Sequence, residues 1–152
     1  MKISDPFKIL TPNERWVPTQ SQMDDFQNAY EKLLPPLVYK IRLAVTKWRD
    51  DGYQGASDTS KSLMDFWFNH EHLIGQTPFG FFFSQREAIE SIIYLYEVAK
   101  AGDKYELMRF DSSERVSTGM FDETWTRYVV KMATGTGKTK VMGLTLVWSY
   151  FH

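Results

Sequence analysis

Apolar side chains recur at helical spacing over residues 37–50. Leu37, Ile41, Ala44, Val45 and Trp48 fall on one face, which predicts an amphipathic helix. Pro36 precedes it and suits a first helical turn. Gly52 follows it and can take the left-handed conformation that stops a helix. Lys40, Arg42, Lys47 and Arg49 flank the apolar face, and residues 37–49 carry no acid. Two readings of these cations stay open. Their long stems can lie beside a buried stripe with the charges in water, or they can contact phosphates.

A second helix is predicted from Asp58 or Ser60 to Phe68, with Leu63, Met64, Trp67 and Phe68 on its apolar side. Residues 69–80 read as a loop. A third helix has a start signal in Ser84-Gln85-Arg86-Glu87, where the serine caps and Glu87 reaches back. Ala88, Ile89, Ile92, Ile93 and Tyr96 mark its buried face, Lys100 its last turn and Gly102 its end. Upstream, residues 1–21 read as an extended arm and 22–33 as a short helix that Pro35-Pro36 interrupts. Residues 103–127 hold ten charges in 25 positions. Tyr105, Leu107 and Phe110 suit a short strand there, and 112–119 a hairpin loop. Tyr128-Val129-Val130-Lys131-Met132 reads as a β-branched strand. Residues 140–151 are apolar on most sides and read as a buried helix.

Composition removes several classes of chemistry. The chain has 152 residues, 18 basic against 19 acidic, and no cysteine. A thiol nucleophile, disulfides and cysteine-ligated zinc are therefore out. The first residues lack the apolar core of a signal peptide. No run reaches the ~20 apolar residues that span a bilayer, so no membrane partner and a cytoplasmic location are expected. His70-Glu71-His72 lacks the i, i+4 spacing and further ligand of a zinc helix. Aromatics make up 16% of the chain. They serve either as large core rings or as base-stacking platforms.

The strongest chemical signal is Ala133-Thr134-Gly135-Thr136-Gly137-Lys138-Thr139 between the predicted strand and helix. Strand, glycine-rich loop and helix are the context of a phosphate-binding loop. Backbone N–H groups of a tight loop converge on an anion, and the helix N-terminus adds partial positive charge. Lys138 would then meet the β- and γ-phosphates, and Thr139 would put its hydroxyl on Mg²⁺. The strict pattern asks for glycine where Met132 stands. The alternative is a glycine-rich turn that merely caps a helix.

Met-Ala-Thr-Gly-Thr-Gly-Lys-Thr, residues 132–139, resembles motif I of superfamily 2 DNA motors. Its Met-Ala start resembles the restriction-type branch, which includes type I and type III restriction motor subunits. Phe81-Phe82-Phe83-Ser84-Gln85-Arg86-Glu87-Ala88-Ile89-Glu90 resembles the glutamine-bearing helix upstream of motif I in that branch. Residues 48–53 and 63–68 resemble the lead-in of type III restriction Res-subunit or DEAD/DEAH-box helicases. The resemblance spans about residues 35–100 and 127–152, with 103–127 as an insertion.

It implies an α/β fold: a helical N-terminal region, then the first strand, P-loop and helix of a RecA-like P-loop NTPase domain. The organisation is then 1–34 arm and short helix, 35–102 helical region, 103–127 polar insertion and 128–152 truncated RecA-like domain. ATP and Mg are the implied cofactors, with Ala133, Thr134, Gly135, Thr136, Gly137, Lys138 and Thr139 around the phosphates. Lys138 and Thr139 are the implied catalytic residues. Gln85 would read adenine, with Phe82 or Phe83 as the ring packed on the base; the alternative for Gln85 is a polar residue facing water. The implied activity is that of an ATP-dependent DNA translocase or helicase, with an endonuclease activity admitted. Double-stranded DNA and a modification methyltransferase subunit are the implied partners. In such motors an Asp-Glu pair follows motif I, whereas Asp122-Glu123 precedes it and 13 residues follow Thr139. An N-terminal piece of a larger motor, inactive alone, is therefore expected. Another kind of P-loop NTPase and a non-catalytic helical module remain as the competing classes.

Overall fold

The computed structural model describes residues 36–111, residue 116 and residues 128–152. They form a mostly helical, mixed α/β arrangement with one two-stranded antiparallel sheet. The elements are α1 (Val38–Asp50), α2 (Asp58–Asn69), β1 (His72–Ile74), β2 (Thr77–Phe79), α3 (Phe83–Ile93), a π-turn (Tyr94–Val98), α4 (Lys104–Met108) and α5 (Lys138–Phe151). The expected arm over 1–21, the short helix over 22–33 and Asp122-Glu123 lie outside the described residues. So does the loop over 112–119, apart from Val116.

Helix α1 buries Val45 and Trp48 from the predicted face. Ser57 caps α2, its side chain accepting from the Ser60 N–H. Residues 69–80 are not a plain loop. They form a hairpin in register His72↔Phe79 and Ile74↔Thr77. Gly75, at φ +65°, takes the first central position of its two-residue turn, as one hairpin type demands.

The cap of α3 lies two residues before the expected one. Phe82 is its N-cap. The Gln85 side chain accepts from the Phe82 N–H at 2.9 Å, the role expected of Glu87. Glu87 instead lies 3.5 Å from Arg42 of α1. The far end also differs. The helix widens into the π-turn, where the Ala99 N–H reaches the Tyr94 carbonyl. Lys100, not Gly102, takes the left-handed backbone there, at φ +52°.

The strand expected around Tyr105 is the short helix α4. The Asp103 side chain accepts from the Glu106 N–H at 2.9 Å and caps it, a bond that favours helix over strand. Residues 128–133 carry no regular strand. A strand needs a ladder partner, and among the described residues none lies beside them. Tyr128 is fastened instead by its hydroxyl, which donates to the Ala101 carbonyl. Nor is α5 buried on most sides: Val141, Leu144 and Trp148 are buried, while Met142 and Leu146 are about 70% exposed. Among the described residues no helix is long and apolar enough to cross a membrane.

The main core gathers Trp48, Met64, Trp67, Ile89, Ile93 and Trp148, among others, from α1, α2, α3 and α5. Among the described residues, the rings of Trp48, Trp67, Phe81, Phe83, Phe110 and Trp148 are buried, while Phe66, Phe82, Tyr96, Tyr105, Tyr150 and Phe151 are exposed. Against this apolar packing stands Glu90, fully buried on α3. It accepts from Arg49 Nε and Nη2, from Arg86 Nε and from the Tyr53 hydroxyl. Arg86 also donates to that hydroxyl at 2.8 Å. Burial, with the Glu90 charge beside it, pushes the Tyr53 phenol up to about 12. Tyr53 therefore stays protonated and keeps donating.

Removing the carboxylate would leave two guanidinium groups facing each other with little water. We expect Glu90→Ala to destabilise the fold by about 3–5 kcal/mol, the usual cost of breaking a buried ion pair. Urea unfolding measures it. An unchanged midpoint would mean that this cluster does not hold α1 to α3.

Candidate nucleotide site

Residues 132–137 turn the chain into α5. Gly135 and Gly137 have φ of +82° and +76°, and Gly137 is the N-cap of α5. The first N–H groups of a helix have no carbonyl within it to bond. Here they sit beside exposed Ala133, Thr134, Gly135, Lys138 and Thr139. Lys138 folds back across the turn, and its Nζ donates to the carbonyls of Met132 and Ala133 at 3.1 and 3.0 Å. The Thr136 hydroxyl donates to the Ala133 carbonyl as well, at 2.6 Å. An ammonium group thus bridges the mouth of the turn.

Gln85 joins this turn from α3. It is only 3% exposed, so the reading of it as a water-facing residue does not hold. Its Nε2 donates to the Thr136 carbonyl at 3.0 Å, while its Oε1 holds the Phe82 N–H. One side chain therefore caps α3 and grips the glycine turn. A Cβ on Gly137 would overlap Gln85 Nε2. Glycine is needed there for two reasons: the left-handed backbone and the room for that amide.

The two candidate rings separate clearly. Phe83 is buried, and the Arg49 guanidinium lies over its face at 5.2 Å. Phe82 is 44% exposed, so of the two only Phe82 offers a ring to a ligand. Lys140, in the first turn of α5, rests over the Phe79 ring at 4.7 Å. That contact sets the hairpin beside the turn.

The rear of α5 is tied down by residues the sequence did not single out. Trp148 Nε1 donates to the Ser60 hydroxyl at 2.7 Å and to Glu97 Oε1 at 3.2 Å. Glu97 also accepts from the Ser57 N–H and the Ser60 hydroxyl, and His152 Nδ1 lies 3.2 Å away. Burial pushes the Glu97 carboxyl up. The bonds from Ser60, Ser57 and Trp148, with His152 nearby, outweigh that and hold it below its usual range. The one advance signal was Ser57-x-x-Ser60 at a helix start.

The histidines of the hairpin approach do not converge. His70 lies by Asp65 and His72 by the Trp67 carbonyl. Among the described residues no three His, Asp or Glu side chains form a metal group.

No family model, curated protein or solved structure matches the chain. The assignment of chemistry to this turn therefore rests on its own residues.

Gly137→Ala should cost at least about 1–2 kcal/mol through the left-handed backbone alone. The cost should shrink in a Gln85→Ala background, where the overlap is gone. Urea unfolding of the four proteins tests this; equal costs in both backgrounds would show that Gln85 does not press on Gly137. The lowered Glu97 carboxyl has a signed consequence. Its stabilisation is present above the unfolded value, about 4.3, and is lost as pH falls through the folded one. Stability should therefore drop on acidification below about pH 4.5, and Glu97→Gln should flatten part of that drop. Parallel slopes for the two proteins would refute it.

Proposed function

We propose that residues 132–139 are the phosphate-binding loop of a RecA-like, ATP-binding domain. In this reading the chain belongs to an ATP-dependent DNA translocase or helicase akin to the Res subunit of type III restriction systems. The observation that carries the reading is the Gln85–Thr136 bond, which spans 51 residues. It joins the two stretches whose resemblance was noted separately, the glutamine helix and the glycine loop. In this reading Gln85 would exchange the Phe82 N–H or the Thr136 carbonyl for the adenine edge, with Phe82 as the open ring.

The residues fit Mg-ATP. The loop offers exposed residues at a helix start, a favourable place for phosphate. Lys138, now on two carbonyls, can exchange these neutral partners for phosphate oxygens, a stronger charge-assisted pairing. Thr139 is exposed and offers a hydroxyl to Mg²⁺. That ion usually keeps several waters and leans on substrate phosphates, so a protein cage is not required. Bound Mg-ATP would supply the transferable phosphoryl group. The exposed apolar face of α5 is the kind of surface that a parallel sheet covers in α/β domains. Duplex DNA, a methyltransferase subunit and a cytoplasmic location follow from the same reading.

The test is a titration of the chain with a fluorescent ATP analogue and Mg²⁺. Binding should weaken about tenfold or more in Lys138→Ala, the effect of losing a charge-assisted contact of about 1.5–3 kcal/mol. Gln85→Ala should narrow the preference for ATP over GTP while leaving phosphate affinity largely intact. Phosphate release should stay at background. A chain that is folded by circular dichroism yet binds no nucleotide would overturn the reading.

A further inference from the structure

Residues 128–152, which make the glycine turn and α5, include Lys131, Lys138 and Lys140 and no acid. Two of these cations rest on neutral partners. Lys138 sits on the Met132 and Ala133 carbonyls, and Lys140 on the Phe79 ring. The loop pattern gives Lys138 a task and is silent on Lys140.

Lys140 is the third residue of α5 after its cap, Gly137. Side chains at that position reach back toward the cap. That of Lys140 does so here: its Cγ would lie 3.9 Å from a Cβ on Gly137, beside the Gln85 amide. The stem therefore runs along the glycine turn, and its ammonium ends 4.7 Å from the centre of the Phe79 ring. Lys140 is exposed. An ammonium in water gains little from a ring face and more from an anion. Its long stem is flexible, so rotation about the last bonds can carry the charge from the ring to the mouth of the turn.

We propose that Lys140 is a second phosphate-binding lysine, which leaves the Phe79 ring for the polyphosphate tail of the nucleotide. This role rests on the nucleotide reading and adds to it a ligand-binding residue and an internal competitor. Bound Mg²⁺ does not fully neutralise a triphosphate, and Lys138 supplies a single charge against the remainder. Lys140, next after Thr139, adds to that neutralisation. Phe79 opposes it, because the ammonium must give up the ring when phosphate takes it. If Lys140 only fastened the hairpin to α5, loss of the ring and loss of the lysine would act alike on binding. If ring and phosphate compete for one charge, the two losses act in opposite directions.

The test is titration of the whole chain with a fluorescent ATP analogue and Mg²⁺, each variant being checked for folding by circular dichroism. Lys140→Ala should weaken binding about fivefold or more, as loss of a charge-assisted contact does. It should also make binding less sensitive to salt, and Lys140→Arg should restore both. Phe79→Leu should tighten binding about two- to fivefold, the share that an exposed cation–ring contact withholds. In a Lys140→Ala background the same Phe79 change should have no effect. Lys47→Ala, which removes an exposed charge from α1, should leave affinity unchanged. Phe79 packs on Phe81 at 5.0 Å, so its variant could unfold; Lys140 is exposed, and its two variants then decide the matter through affinity and salt dependence. Equal or weaker binding in a folded Phe79→Leu, or affinity indifferent to Lys140→Ala, would overturn the role of Lys140. Loss of binding in Lys138→Ala would then show that the nucleotide reading survives without it. A folded wild-type chain that binds no nucleotide would overturn both.

Discussion

Helix α3 and the π-turn that continues it carry acids inward, and the arrangement depends on how those charges are met. Glu90 is fully buried and Glu97 nearly so. An ionised carboxylate in such a place is tolerable only with several donors around it. Glu90 draws them from α1, from the turn after it and from its own helix. Glu97 draws them from α2 and from α5. The apolar core alone would admit many alignments of these helices. Two carboxylates with fixed donor sets admit few.

This rigidity matters most at the glycine turn. Gln85 sits one residue before Arg86 and five before Glu90, so the ion cluster fixes the azimuth at which its amide leaves α3. From there the amide reaches Thr136, and the turn at Gly137 closes against it without a side chain between. The start of α5 is thus set by α3, and its far end by Glu97 through Trp148. Two ends of one helix are held by one neighbour. That is a way to place a loop accurately when no strand ladder beside it is described.

The sequence made much of this legible and left some of it dark for physical reasons. Periodicity located α1, α2 and α3, since each buries one stripe against a neighbour; α5 was read from its apolar run, which hid that only one stripe of it is buried. The hairpin escaped because strands of three residues are too short for alternation to register; Gly75-Gln76 was its only mark. Asp103-x-x-Glu106 is a helix-start pattern, and reading Tyr105 and Leu107 as strand overlooked it. Ser84 was a reasonable cap by type, yet Gln85 supplied the bond from inside the helix. Flanking cations gave no hint of which would be neutralised, because Arg49 meets its carboxylate 41 residues away. The link between Gln85 and the glycine turn came from resemblance, not from spacing. No local pattern connects residues 51 positions apart.

The π-turn explains how one helix can serve both sides. Residues seven apart on a regular α-helix drift by only about 20°, so Glu90 and Glu97 would face the same neighbour. Glu97 would then point toward the α1 side, about 10 Å further along the axis, and away from the donors of α2 and α5. The π-turn at Tyr94–Val98 takes more residues to complete its circuit, and everything after it is rotated relative to the α-helical path. Glu97 swings away from α1 toward Ser57, Ser60 and Trp148, where separate donors wait. At the start of the same turn, Tyr94 lies half-buried between Trp48 and Phe110, at 5.4 and 6.4 Å. The irregular turn thus carries the second of two buried acids that meet separate donor sets.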